Sequence, residues 1–119
     1  MILADTSVWV EHLRRGLVDL ARLLEAEEIL IHPFVVGELA CSNLKDRAEF
    51  LLQVQTLPQA VVTEDEEVLR FVEAFHLNGL GLGWVDAHLL ASAKLTPCVL
   101  WSLDKTLTRT ARHLGLHSR

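Results

Sequence analysis

An α/β fold, with a mostly parallel central sheet of four or five strands and helices on both faces, is predicted by three observations. Short apolar runs alternate with stretches of helical periodicity from one end of the chain to the other. Those runs are apolar at successive positions, the pattern of strands buried on both faces of a parallel sheet. No repeat, linker or low-complexity stretch interrupts them, so residues 1–119 make a single domain.

Each element has its own justification. MILAD is an apolar run ending in an acid, Asp5, and reads as a strand. Thr6 and Ser7 are good N-caps for the helix VWVEHLRR, which Gly16 stops. Asp19 can cap a second helix with Leu20, Leu23 and Leu24 on its inner face. ILIH, Ile29 to His32, is a second strand, and Pro33 suits the first turn of a helix carrying Phe34, Val36, Glu38 and Leu39. Asp46 to Val54 is helical. AVVT, Ala60 to Thr63, is a third strand, and Thr63 with Glu66 forms a T-x-x-E capping box for a helix from Glu64 to His76, ended by Asn78 and Gly79. After the glycine-spaced loop GLGLG, Leu89, Leu90 and Ala93 mark a helix from Val85 to Leu95, which Pro97 breaks. CVLWSL is a fourth strand, and Asp104 closes it before the last helix.

Composition narrows the function classes. Half of the 119 residues are hydrophobic, enough for a well-filled core. The chain enters its first strand without a basic n-region, and no apolar run approaches about 18 residues, so a cytoplasmic protein with no membrane span is expected. Cys41 and Cys98 lie far apart in apolar surroundings and read as buried thiols. Of six histidines only His113 and His117 are spaced i, i+4, with Gly115 between them, so zinc is not expected.

The formal net charge of -5 opposes nonspecific nucleic-acid binding, but the charge is unevenly spread. Glu64, Asp65, Glu66 and Glu67 form an acidic patch at a helix start. Beyond Asp104 come Lys105, Arg109, Arg112 and Arg119 and no further acid, and the spacings of four and three put the first three on one helix face. Such a face is either a solvated helix end or a set of phosphate contacts.

Four acids carry the chemical argument. Asp5 and Asp104 end the first and fourth strands, at the edge where open sheets bind ligands. Glu38 lies in the helix after the second strand and Asp86 in the first turn of the helix before the fourth. Alone, Asp5, Asp86 and Asp104 are helix caps and Glu38 is a surface residue. Together, converging carboxylates repel one another unless cations neutralise them, and hard oxygen donors suit Mg²⁺ or Mn²⁺. Two-metal phosphodiester hydrolysis is the chemistry of such sites.

These residues carry a resemblance. ILADTSVWVEHLR is similar to the opening strand of PIN-domain ribonucleases, VVGELA to their glutamate helix, GWVDAHLLASA to their third acidic motif and LWSLDKTLTRTA to their fourth. The order is right over essentially the whole chain, which more specifically resembles the VapC-type toxins of toxin–antitoxin pairs. The resemblance implies a Mg²⁺ or Mn²⁺ site of Asp5, Glu38, Asp86 and Asp104, supported by Thr6, Ser7 and Ser102. It also implies cleavage of structured RNA such as tRNA or rRNA, a homodimer, and a cognate VapB-like antitoxin. One departure stands out: many relatives place another acid or Asn where this chain has Thr106, which bears on a second metal position.

Other folds of similar composition fit less well. A haloacid-dehalogenase-like phosphatase wants an Asp where Ser7 stands, and a phospho-receiver module wants an acidic pair near the first strand and a Lys ending the last. A non-catalytic RNA-binding or antitoxin-binding module with the same fold is the alternative to an enzyme. His88, the one histidine inside an acidic motif, is two residues from Asp86 and so turned away from it on a helix. Apolar residues at helical spacing, Trp9, Val10, Leu13 and Leu17 with Val68, Leu69, Val72 and Phe75, exceed what one small sheet needs and point to self-association.

Overall fold

The computed structural model describes residues 1–119. Along the chain it runs β1 (Ile2–Ala4), α1 (Thr6–Arg15), α2 (Val18–Glu25), β2 (Ile29–Leu30), α3 (Pro33–Ala40), α4 (Arg47–Val54), α5 (Asp65–Ala74), α6 (Trp84–Leu95), β3 (Val99–Trp101) and α7 (Lys105–His113).

The three strands form one parallel sheet in the order β2-β1-β3, with Leu3 opposite Leu30 on one side and Leu100 on the other. Leu3 and Ala4 point to opposite faces, and both are fully buried, so helices cover the sheet on both sides. Because the chain steps from β1 to β2 on one side and returns to place β3 on the other, the connections diverge between β1 and β3. A crevice opens beyond the carboxyl ends of strands at such a switch point. Asp5 and Ser102 follow directly on those two strands.

The sheet is smaller than the expected four or five strands. AVVT is not a strand: Val61 and Val62 are half exposed, with nothing packed over them, and Pro58 has no N–H to extend a ladder. Only residues 58–60 run beside β2, through one bridge between Ile31 and Gln59. A matching single bridge, Leu100 to Ser118, lays residues 117–119 along the outer edge of β3. That second extension was not expected, because the segment after Gly115 carries no strand pattern.

Several caps also differ from the expected ones. Asp5, not Thr6 or Ser7, caps α1, which begins earlier than the apolar pattern suggests. Asp19 lies inside the first turn of α2, whose cap residue Leu17 offers no side-chain bond. The Thr63–Glu66 capping box does not form; Glu64 takes the cap position of α5 and the Thr63 hydroxyl is buried without a partner. Cys98 is buried as expected, but Cys41, at the solvent-facing end of α3, is exposed. Pro33 does open α3.

The central packing element is α6. Its residues Ala87 through Ala93 are buried without a break, so the helix is covered all round. Small side chains at 87, 91, 92 and 93 let neighbouring elements approach it closely. His88 on this helix is buried, and its Nε2 lies 2.9 Å from Asp65 Oδ1 at the start of α5. Nearby, His32 caps α3 by accepting the Phe34 N–H on Nδ1, so a neutral His32 carries its proton on Nε2. Burial, and then the neighbouring His88, lowers its pKa from 6.5 to about 4.

Folded His32 therefore stays neutral where an unfolded histidine has taken up a proton. The stability it contributes is fully present above pH 6.5 and is lost as pH falls through about 4. The loss should reach about 3 kcal/mol, since each tenfold change in proton affinity is worth about 1.4 kcal/mol. Urea unfolding curves between pH 7 and pH 4 should show this acid limb in the wild type and a flatter one in His32→Asn.

Candidate active site

Asp5 is the best-anchored acid of the chain. The backbone leaves β1 in an extended conformation at this residue and turns at once into α1. Its Oδ1 accepts hydrogen bonds from the Ser7 hydroxyl at 2.5 Å and the Val8 N–H at 3.3 Å, and its Oδ2 accepts one from the Ser102 hydroxyl at 2.7 Å. The two serines are committed at their other ends as well: Ser7 Oγ accepts from the Leu103 N–H at 3.0 Å, and Ser102 Oγ from the Asp104 N–H at 2.9 Å. One buried carboxylate thus ties the end of β1 to the turn between β3 and α7.

The other three acids each divide their oxygens in the same way. Glu38 Oε1 accepts from the Thr6 hydroxyl at 2.5 Å, which joins α3 to the first residue of α1. Asp86 Oδ2 accepts from the Gly83 N–H at 2.9 Å, closing the first turn of α6. Asp104 Oδ1 caps α7 by accepting from the N–H groups of Thr106 and Leu107. In each case the second oxygen makes no hydrogen bond within the protein and remains available to a ligand. The expected supporting residues Thr6, Ser7 and Ser102 all touch one of these acids.

Electrostatics brings the four together. Burial pushes the Asp86 carboxyl above its usual range; the Gly83 N–H opposes the shift, while the charges of Asp104, Asp5 and Glu38 add to it. Asp86 is therefore within reach of the fields of the other three. Burial also raises Asp5, against the hydrogen bonds from Ser102, Ser7 and Val8 that favour its charged form. None of the three ion pairs in the chain involves any of the four acids, so no side-chain cation neutralises them.

This donor set fits a hard divalent cation. No three of the chain's His, Cys, Asp or Glu side chains stand grouped as a ready-made cage. Mg²⁺ does not require one, because it keeps several waters and binds through one or two carboxylates together with substrate phosphates. Three of the acids sit at helix N-termini, where the dipoles offset about 0.3–1 kcal/mol of repulsion each. The Thr106 side chain plays no part in holding the acids; its backbone N–H does.

Lys105, Arg109 and Arg112 line a recess that shares Ser102 with this cluster, and Arg119 joins them there. Gly83 opens the third acidic motif and Arg119 ends the basic run, but neither was expected to take part in the site. A G-x-x-D spacing ahead of α6 was a usable signal for the first. Nothing in the sequence pairs residue 119 with the fourth acidic motif.

Asp86→Asn should keep the Gly83 bond and relieve repulsion. In EDTA at pH 7 it should melt a few degrees above wild type, on the order of 1 kcal/mol. The difference should shrink toward pH 4: a carboxyl raised in the folded state adds stability below its unfolded value, which is lost as pH rises through the folded one. Added Mg²⁺ should reverse the order of the two melts by binding the wild type more tightly. Identical curves for both proteins, with and without Mg²⁺, would count against a shared carboxylate site.

Known proteins resemble this chain in sequence and in fold. The PIN domain family model matches residues 2–113. Ribonuclease VapC32 of Mycobacterium tuberculosis, in strains CDC 1551 / Oshkosh and ATCC 25618 / H37Rv, is 44% identical over 117 residues, covering 98% of this chain and 94% of the relative. The crystal structure of PAE2754 from Pyrobaculum aerophilum superposes with a TM-score of 0.63 at 19% identity, over 98% of this chain and 82% of that one, a likeness of fold. With the family model spanning nearly the whole chain and a relative 44% identical over 98% of it, the chain belongs to the PIN domain family, among its VapC-type members.

Proposed function

We propose that this chain is a Mg²⁺- or Mn²⁺-dependent endoribonuclease, the toxin of a toxin–antitoxin pair, and that it cleaves structured RNA such as tRNA or rRNA. The observation that carries the reading is the placement of Asp86 within the fields of Asp104, Asp5 and Glu38 with no cationic side chain to balance them. The name of the M. tuberculosis relatives supports the choice of RNA.

Asp5, Glu38, Asp86 and Asp104 would hold the metal, each through an oxygen not committed to the protein, and for Asp5 through a remaining lone pair. The metal when bound supplies Lewis-acid activation of water and charge neutralisation at the phosphate. The chain's own part is orientation. Thr6 fixes Glu38, Ser7 and Ser102 fix Asp5, the Gly83 N–H fixes Asp86 and the N–H groups of Thr106 and Leu107 fix Asp104, so four flexible acids are held in set directions before substrate arrives. His88, the one histidine within an acidic motif, is buried and turned to Asp65, so it is not placed to act as a base on a ribose 2′-hydroxyl.

The partners belong to the same reading: RNA, a cognate VapB-like antitoxin and a second copy of the chain. Of the apolar residues expected to be surplus, Trp9 and Val68 are taken up by the core, whereas Leu13, Leu69 and Phe75 stay exposed and favour self-association. No helix is long and apolar enough to cross a membrane, which accords with action in the cytoplasm. Light scattering at micromolar concentration should report a dimer; a monomer would remove that part of the proposal.

Cleavage should require Mg²⁺ or Mn²⁺, stop in EDTA, and leave 5′-phosphate and 3′-hydroxyl ends. Asp5→Asn, Glu38→Gln or Asp86→Asn should each lower the rate roughly a thousandfold, about 4 kcal/mol at about 1.36 kcal/mol per tenfold. Asp104→Asn should cost less, since Thr106 adds no acid beside it. Cyclic-phosphate products or full activity in EDTA would refute the mechanism. Tight RNA binding without any metal-dependent cutting would favour a non-catalytic binding module instead.

A further inference from the structure

Across Ser102 from the carboxylates lies a recess of about 520 Å³. Four of the chain's eleven Lys and Arg residues line it, no acid does, and Leu103 is its one apolar wall, in a chain whose net charge is -5. Lys105, Arg109 and Arg112 come from one face of α7, with neighbours about 5–6 Å apart. Arg119 comes from the segment bonded along the edge of β3 and is held in place from three sides. Its backbone N–H donates to the Leu100 carbonyl at 2.9 Å, its guanidinium lies 4.6 Å from the centre of the Trp101 ring, and its Nη2 meets Asp19 Oδ2 at 2.7 Å. Arg112 is steadied by Ser118, to whose Oγ its Nε donates at 3.2 Å.

We propose that this recess grips the phosphate backbone of the RNA strand that runs into the carboxylate site, holding flanking phosphates without reading bases. The proposal rests on the ribonuclease reading given above. An RNA strand approaching four carboxylates on a net-negative protein is repelled, and a cationic wall beside them offsets that repulsion where it is greatest. Lys105 follows Asp104 directly, and Ser102 both anchors Asp5 and lines the recess, so a strand leaving one site enters the other. Cations one helical turn apart can follow successive phosphates. A protein partner would instead need an apolar centre with a polar rim, which these walls lack.

Fluorescence anisotropy of a fluorescein-labelled hairpin RNA with a single-stranded loop, in EDTA so that nothing is cut, reads this grip directly. Arg109→Ala combined with Arg112→Ala should weaken binding about tenfold or more at 0.1 M salt. It should also flatten the plot of log affinity against log salt by roughly 1.4, about 0.7 for each phosphate no longer neutralised on a single strand. Arg119→Ala should change both in the same direction by about half as much on that scale. Arg14→Ala removes one charge at the far end of α1, about 15 Å from Asp5, and should leave both within twofold. In cleavage assays the loss in kcat/KM of the recess variants should appear as a rise in KM. Unchanged affinity and slope in the folded recess variants, or an equal loss in Arg14→Ala, would overturn the proposal and leave the recess to another anion such as an acidic peptide. Because binding is read without turnover, wild-type protein that binds in this way but cuts nothing would defeat the ribonuclease reading and not the grip.

Discussion

The arrangement of the site depends on one buried carboxylate. Asp5 is 5% exposed, at the end of the central strand, and accepts hydrogen bonds from two different parts of the chain nearly a hundred residues apart. Burying an ion costs several kcal/mol unless hydrogen bonds replace the lost water, and here α1 supplies an amide and a hydroxyl while the β3–α7 turn supplies another hydroxyl. The consequence is geometric. Ser7 and Ser102 each accept an amide of that turn while donating to Asp5, so the ends of β1 and β3 cannot drift apart without breaking several bonds at once. The sheet ladder continues the same restraint, because the Asp5 N–H donates to the Trp101 carbonyl at 2.9 Å. A three-stranded sheet this short needs such a clasp at the edge where it is to hold charge.

Charge of one sign gathered at an edge is a liability for stability and an asset for function. Burial and mutual repulsion raise Asp86, and burial raises Asp5, so both destabilise the folded chain at neutral pH relative to neutral isosteres. The fold offsets part of this by directing the N-termini of α1, α6 and α7 at the same region, each capped by or carrying one of the acids. On the proposed reading, the remainder would be offset by a bound cation. Strain of this kind concentrated at one site, in a chain otherwise well packed around α6, is how binding energy for a metal is prepared in advance. On the proposed reading the basic face of α7 would complete the division of labour, with negative charge for a metal and positive charge beside it.

How much of this was legible in the residues varied by element. The alternation of strand and helix, the Pro33 start of α3 and the four acidic motifs all depend on local chemistry, and local chemistry can be read in order along a chain. The strand count could not be. AVVT has the β-branched composition of a strand, yet pairing depends on what covers its outer face, and Val61 and Val62 are left to solvent. The cap of α1 stayed open between Asp5 and the two hydroxyls because all three are good caps by residue type, whereas the fold needs the hydroxyls of Thr6 and Ser7 for Glu38 and Asp5. The Thr63–Glu66 box failed for a similar reason: the helix enters from Glu64, and the hydroxyl it would have used is buried. His32 and Arg119 were invisible for want of any local pattern; one is placed by burial and the other by an edge pairing across the fold.

The acids show why a structural role and a functional role for the same residue need not compete. A carboxylate has two oxygens and about four acceptor sites, and a helix cap uses one oxygen. Asp86 gives Oδ2 to the Gly83 amide, Asp104 gives Oδ1 to two amides of α7, and Glu38 gives Oε1 to Thr6, so each is fixed by one oxygen and presents the other. The structural bond aims the functional oxygen. This also explains why acids recur at helix starts in the site rather than at random places on the same edge. A cap holds the side chain in one rotamer near the N-terminal dipole, which favours the charged form that a metal needs. Asp5 marks the limit of the scheme. With three donors on its two oxygens it has the most rigid carboxylate and the fewest acceptor sites left, which suits a shared anchor with one remaining lone pair better than a freely ligating side chain.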